Sequence, residues 1–83
     1  MIKDIEFEVL KEVIALKVEA ARLQFRSFAD SLEREEAQEQ LMSAGESLGY
    51  KIGRQGMSLP TILSDDTVVG GAAEYGHHQG LRF

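Results

Sequence analysis

Residues 7–28 read FEVLKEVIALKVEAARLQFRSF, and this stretch decides the fold class of the chain. From residue 2 to about residue 29 there is neither proline nor glycine, so a long helix is predicted. At roughly 100° per residue, the apolar side chains fall on two stripes about 135° apart. The first stripe consists of Phe7, Leu10, Ile14, Val18, Ala21, Phe25 and Phe28, and Leu32 extends it. The second stripe consists of Ile2, Ile5, Val9, Val13, Leu16, Ala20 and Leu23.

Two apolar stripes imply neighbours on two sides, because a helix on the surface of a globular protein needs only one stripe. The chain has only one other convincing helix, so we expect the second neighbour to be another protein or another copy. The residues expected to bind it are Phe7, Leu10, Ile14, Val18, Phe25 and Phe28. The alternative is that the C-terminal segment folds back and covers the second stripe.

A second, shorter helix is predicted to begin near Asp30. Asp30 and Glu33 have the spacing of a capping box, and apolar residues then recur at helical intervals up to Ile52. Glycines at 49, 53 and 56 indicate an end near residues 49–55. One continuous helix from residue 3 to about 48 is the alternative. A hairpin is favoured, because a single rod cannot bury both stripes.

The predicted fold class is therefore mainly α, with a helical hairpin over residues 1–56. Residues 57–71 are expected to be irregular, apart from one helical turn that Pro60 opens and a short β-prone run at 67–69. They end in Gly70-Gly71, and residues 72–83 are expected to form a flexible tail.

Composition limits the classes of function. The chain has 83 residues, a net charge of −5 and no cysteine, which indicates one small domain without disulfides. Its lysines and arginines are scattered, so we expect no nucleic-acid partner. No apolar run is long enough to span a membrane and no signal peptide is recognisable, so a cytoplasmic location without membrane binding is expected.

No arrangement of residues in the sequence predicts catalysis. His77 and His78 are adjacent, and adjacent side chains point apart in an extended segment, whereas a metal site needs three or four converging ligands. We therefore expect no metal, no cofactor and no enzymatic activity.

Gly70-Gly71 is a candidate cleavage site, because two residues without side chains can enter a narrow protease cleft in an extended form. The run from Leu48 to Ile52, followed by the run from Leu63 to Gly71, resembles the end of a double-glycine leader. Such leaders belong to precursors of ribosomally made, post-translationally modified peptides. The resemblance implies cleavage after Gly71 and release of the segment that follows.

That segment carries a second resemblance. Glu74-Tyr75-Gly76 is similar to the X-Tyr-Gly site of precursors that radical-SAM spliceases modify by excising a tyramine unit. The resemblance implies that Glu74 is converted to a keto residue and that Tyr75 loses its tyramine portion.

Two functions follow as hypotheses. In the first, the chain is a precursor peptide whose helical leader docks on a maturation enzyme and presents residues 72–83. In the second, it is a small acidic helical oligomer, adaptor or inhibitor that acts by binding protein.

Overall fold

The computed structural model describes residues 3–82. Ile2, which belongs to the predicted second stripe, and Phe83, which belongs to the predicted tail, lie outside the described residues. Four helices occur in the described part: α1 (Phe7–Leu23), α2 (Ser31–Arg54), α3 (Thr61–Ser64) and α4 (Gly70–Arg82). Residues 3–82 contain no strand, only one isolated bridge between Lys3 and Met57. The prediction of a mainly α fold is confirmed.

The chain breaks between α1 and α2 close to the predicted position. The Asp30 side chain accepts a hydrogen bond from the Glu33 amide at 2.8 Å, and the Glu33 carboxylate accepts one from the Ala29 amide at 3.2 Å. This reciprocal pair satisfies backbone donors that would otherwise lack partners at the helix start. The predicted cap is therefore present, and the alternative of one continuous helix is wrong. The first helix is also shorter than predicted, since it ends at Leu23.

The second stripe of α1 faces the core. Its helical members Val9, Val13, Leu16, Ala20 and Leu23 are all buried. Most of them pack in one apolar cluster with residues from the rest of the chain, namely Leu48, Ile52, Met57, Leu63, Val69 and Ala73. The C-terminal segment thus folds back and covers the second stripe, as the alternative interpretation of the stripes expected.

Residues 70–82 form a helix, so the expectation of a flexible tail from residue 72 is wrong over 72–82. Residues of α4 meet residues of α2 in the same order along the chain, with Ala73 against Gly49 and His77 against Gly53, so the two helices run in the same direction. A Cβ atom added at Gly49 would overlap the carbonyl oxygen of Ala73, and one added at Gly76 would overlap that of Glu46. The two backbones are therefore in direct contact.

This contact explains why a glycine-rich segment is helical at all. Four of the 13 residues of α4 are glycine, and each costs a helix about 1 kcal/mol relative to alanine. Local propensity therefore opposes α4. Tertiary packing outweighs it, because spacings of four residues put small residues of both helices on the facing surfaces and let the helices approach closely.

The segment between α2 and α4 is more ordered than expected. Gly56 ends α2 with a left-handed φ of 71°, a conformation that glycine adopts without strain. The predicted turn after Pro60 is present as α3. The expected β-prone run at 67–69 is wrong, because these residues form a turn that leads directly into α4.

Asp66 joins this turn to α1. Its Oδ1 accepts hydrogen bonds from the Val68 and Val69 amides at 2.8 and 2.9 Å, and its Oδ2 pairs with the Lys17 ammonium at 3.1 Å. Partial burial raises the pKa of the Asp66 carboxyl. The Val69 and Val68 amides and the Lys17 charge lower it more, so the net pKa lies below the ordinary aspartate value.

The contact between α2 and α4 makes opposite predictions for two glycines of α4. Gly76→Ala should lower the free energy of unfolding by about 2–3 kcal/mol, because its Cβ would push the backbones apart. Gly71→Ala should leave it unchanged or raise it by up to about 1 kcal/mol, because that site is open and alanine favours helix. Urea denaturation followed by circular dichroism measures both. Equal effects of the two substitutions would contradict the close packing.

The Asp66 contacts predict a pH-dependent contribution to stability. Because its pKa is lower in the folded state than the roughly 3.9 of an unfolded aspartate, the ionised group stabilises the fold above that value. The contribution is lost as the pH falls through the folded-state pKa. Asp66→Asn should therefore lower the free energy of unfolding by about 1–2 kcal/mol at pH 7. The difference in the free energy of unfolding between the variant and the parent chain should shrink on acidification. A difference that stays constant down to pH 2.5 would contradict this account.

Candidate protein-binding surface

The first stripe of α1 is left on the surface. Phe7 is 71% exposed, Ile14 48% and Val18 43%, and the small residue Ala21 is also exposed. Leu10 is partly buried, since it packs against the edge of the core. We call these five residues the apolar face of α1. Apart from Leu10, it lies on the side of the helix away from the core cluster formed by the described residues.

The predicted stripe continues beyond the helix, but in a different form. Phe25 and Phe28 lie in the connection between α1 and α2, because α1 ends at Leu23. Phe25 is 85% exposed, and the Phe28 ring, which is half-buried, lies 5.0 Å below the Arg26 guanidinium. Four of the six predicted partner-binding residues therefore lie on α1, and the other two lie in the connection that follows it.

Basic residues border the apolar face, and each is paired with an acid of the same chain. Lys11 lies 3.2 Å from Glu8, and Arg22 lies 3.0 Å from Glu19. The Lys11 ammonium also sits 5.5 Å from the centroid of the Phe7 ring. On the opposite border, Lys17 pairs with Asp66. The surroundings of the face are therefore close to electrically neutral, although the whole chain carries −5.

A groove between α1 and α2 was not predicted from the sequence. It is open to solvent and has a volume of about 440 Å³. Its lining consists of Glu12, Ala15, Leu16, Glu19, Ala44, Ser47, Leu48 and Lys51. An ion pair of 2.8 Å between Lys51 and Glu12 crosses it. The small side chains of Ala15 and Ala44 are the sequence signal for it, since they leave space where the two helices meet.

The predicted cleavage and modification residues all lie in α4. Gly70 is buried, and a Cβ there would overlap the Ser64 carbonyl oxygen, whereas Gly71 is exposed with open space around it. Glu74 and Tyr75 are exposed, and Gly76 is buried against α2. The structure thus brings these residues together on one helix, but in a helical rather than an extended conformation.

The two histidines have separate surroundings. The His77 Nε2–H donates a hydrogen bond of 2.8 Å to the Met57 carbonyl, which links α4 to the residues that follow α2, while His78 is exposed. Within residues 3–82, no group of three or more histidine, cysteine, aspartate or glutamate residues could hold a metal ion. In the same range, no helix combines the length and the apolar character needed to cross a bilayer.

Comparisons of the chain with protein-family models, with curated proteins and with solved structures gave no match. We therefore infer the function from the geometry of this molecule.

Neighbouring residues on α1 test which side of the helix carries the fold. Val13→Ala should lower the free energy of unfolding by about 2 kcal/mol, because Val13 is fully buried. Ile14→Ala should change it by less than about 0.5 kcal/mol at low micromolar protein concentration, because Ile14 is half-exposed. Chemical denaturation measures both values. A larger loss for Ile14→Ala would mean that the apolar face supports the fold of the single chain.

Proposed function

We propose that this chain is a small helical protein-binding module that acts through the apolar face of α1. One observation carries the proposal: the face stays exposed although every other helix has taken its place around the core. A contiguous run of exposed apolar side chains is uncommon on a monomer, and such a patch is typical of a protein–protein contact.

The pattern of the face favours a helix as the binding partner. Single exposed apolar residues are ordinary, but these recur at intervals of three and four along one side of a helix. That spacing is the one by which helices pair side by side or lie in a groove of another protein. The neutral border is also compatible with a protein partner.

The precursor-peptide hypothesis stays a prediction, and the conformation of α4 does not favour it. A processing enzyme that binds extended substrate would first have to detach α4 from α2. Detachment would break the backbone contacts of Gly76 with α2 and the hydrogen bond of His77, and would uncover Ala73 in the core. We therefore prefer the protein-binding role.

Photocrosslinking in the cells that make the chain tests this role. A benzophenone-bearing amino acid at position 14 should yield a discrete, heavier adduct after illumination, because Ile14 is central in the apolar face. Denaturing gel electrophoresis and mass spectrometry then identify what is attached.

Position 8 provides the matched control. Glu8 lies on the same helix and is exposed, but about 120° away from Ile14 around the axis. It should give no discrete adduct. If position 14 also gives none, the proposed binding role of the apolar face is wrong.

A further inference from the structure

We propose that the occupant of the apolar face is a second copy of this chain, with the two α1 helices antiparallel across a two-fold axis at Ile14. This inference deepens the proposed function and depends on it. It identifies the partner and also fixes the register of the contact.

The spacing of the face indicates a helix–helix seam. Successive residues of the face are separated by three, four, four and three positions, in the order Phe7, Leu10, Ile14, Val18 and Ala21. This is a heptad-like seam with a short insertion, which a straight pair of helices accommodates over a few turns. From Phe7 to Ala21 the seam is about 21 Å long, and it lies entirely within α1.

An antiparallel register centred on Ile14 matches the largest residue of the face with the smallest. A residue seven positions before Ile14 then faces the residue seven positions after it, so Phe7 faces Ala21 of the second copy. Leu10, four positions before, faces Val18, and Ile14 faces itself. Interlocking of large and small residues is the condition for close packing. A parallel pair would instead place the two Phe7 rings against each other and leave a gap between the two alanines.

Electrostatics allow two acidic chains to meet at this face. The face itself contains no charged residue, and the bordering cations Lys11, Lys17 and Arg22 are each paired within their own chain. The remaining α1 acid, Glu12, points toward the groove and pairs with Lys51 on α2. Two copies can therefore approach without bringing unpaired carboxylates together, although each carries −5.

A second copy would add buried apolar surface to a small domain. A chain of about 80 residues buries too little apolar surface for more than marginal stability, and self-association is a common remedy. Five face residues per copy bury at most about 1,000 Å² in total, which is below the roughly 1,200 Å² at which stable, specific interfaces begin. The dimer is therefore expected to be weak and to form at high micromolar concentration.

Because the chain has no cysteine, single introduced thiols test both the partner and the register. Purified Ile14→Cys, at several hundred micromolar and under mild oxidation, should form a disulfide-linked dimer, since the two positions meet on the axis. Phe7→Cys mixed with Ala21→Cys should cross-link to each other faster than either links to itself. Glu8→Cys is the control and should remain mostly monomeric. All four positions are exposed or half-exposed, and circular dichroism of the reduced variants checks their folding.

Each outcome has a defined meaning. Self-linking of Phe7→Cys in preference to the mixed pair would overturn the antiparallel register. Equal linking of Ile14→Cys and Glu8→Cys would overturn the two-fold contact, because random collision does not distinguish them. If both thiol tests fail and position 14 forms an adduct with a different protein in cells, the dimer is wrong but the protein-binding role stands. Failure of both thiol tests without any cellular adduct would end both.

Discussion

The structure depends on the direct backbone contact between α2 and α4. Gly49 and Gly53 on α2 and Gly76 and Gly80 on α4 carry no side chains, and a Cβ at any of the four would overlap backbone atoms of the other helix. At this separation Val69 and Ala73 lie in the same core cluster as the buried residues of α1. The glycines lower the helix propensity of α4, but they also let its backbone pack closely against α2. The dispersion contacts between the two backbones offset the low propensity.

The two apolar stripes of α1 have separate roles: one is buried in the core, and the other stays on the surface. The stripe around Val13 is buried, and most of it packs in one cluster with residues of α2, of α4 and of the segment between them. The Asp66 contacts fix the entry of the chain into α4 and tie it to Lys17 at the edge of the other stripe. The stripe around Ile14 stays largely exposed among residues 3–82, and it is the surface on which the proposed function depends.

Some of this arrangement was readable from the sequence, and some was not. The helical period of residues 7–28 predicted both stripes, and the spacing of Asp30 and Glu33 predicted the cap of α2, because these features depend on local geometry. The helix over residues 70–82 was not predicted, because its four glycines indicate disorder when only local propensity is considered. The signal was the four-residue spacing of Gly45, Gly49 and Gly53, matched by Gly76 and Gly80. This spacing indicates helix packing only when the two segments are known to be in contact, and local sequence patterns do not predict that contact.

Hydrogen exchange of the purified chain, followed by mass spectrometry, tests the central claim most directly. If α4 is docked on α2, amides within residues 73–82 should exchange about 100-fold or more slowly than in an unstructured peptide, together with those of α1 and the C-terminal half of α2. Exchange of residues 73–82 at the unstructured rate, while α1 and α2 stay protected, would contradict the account. Residues 73–82 would then be a flexible tail, and their packing against α2 would not account for the burial of one stripe of α1 and the exposure of the other.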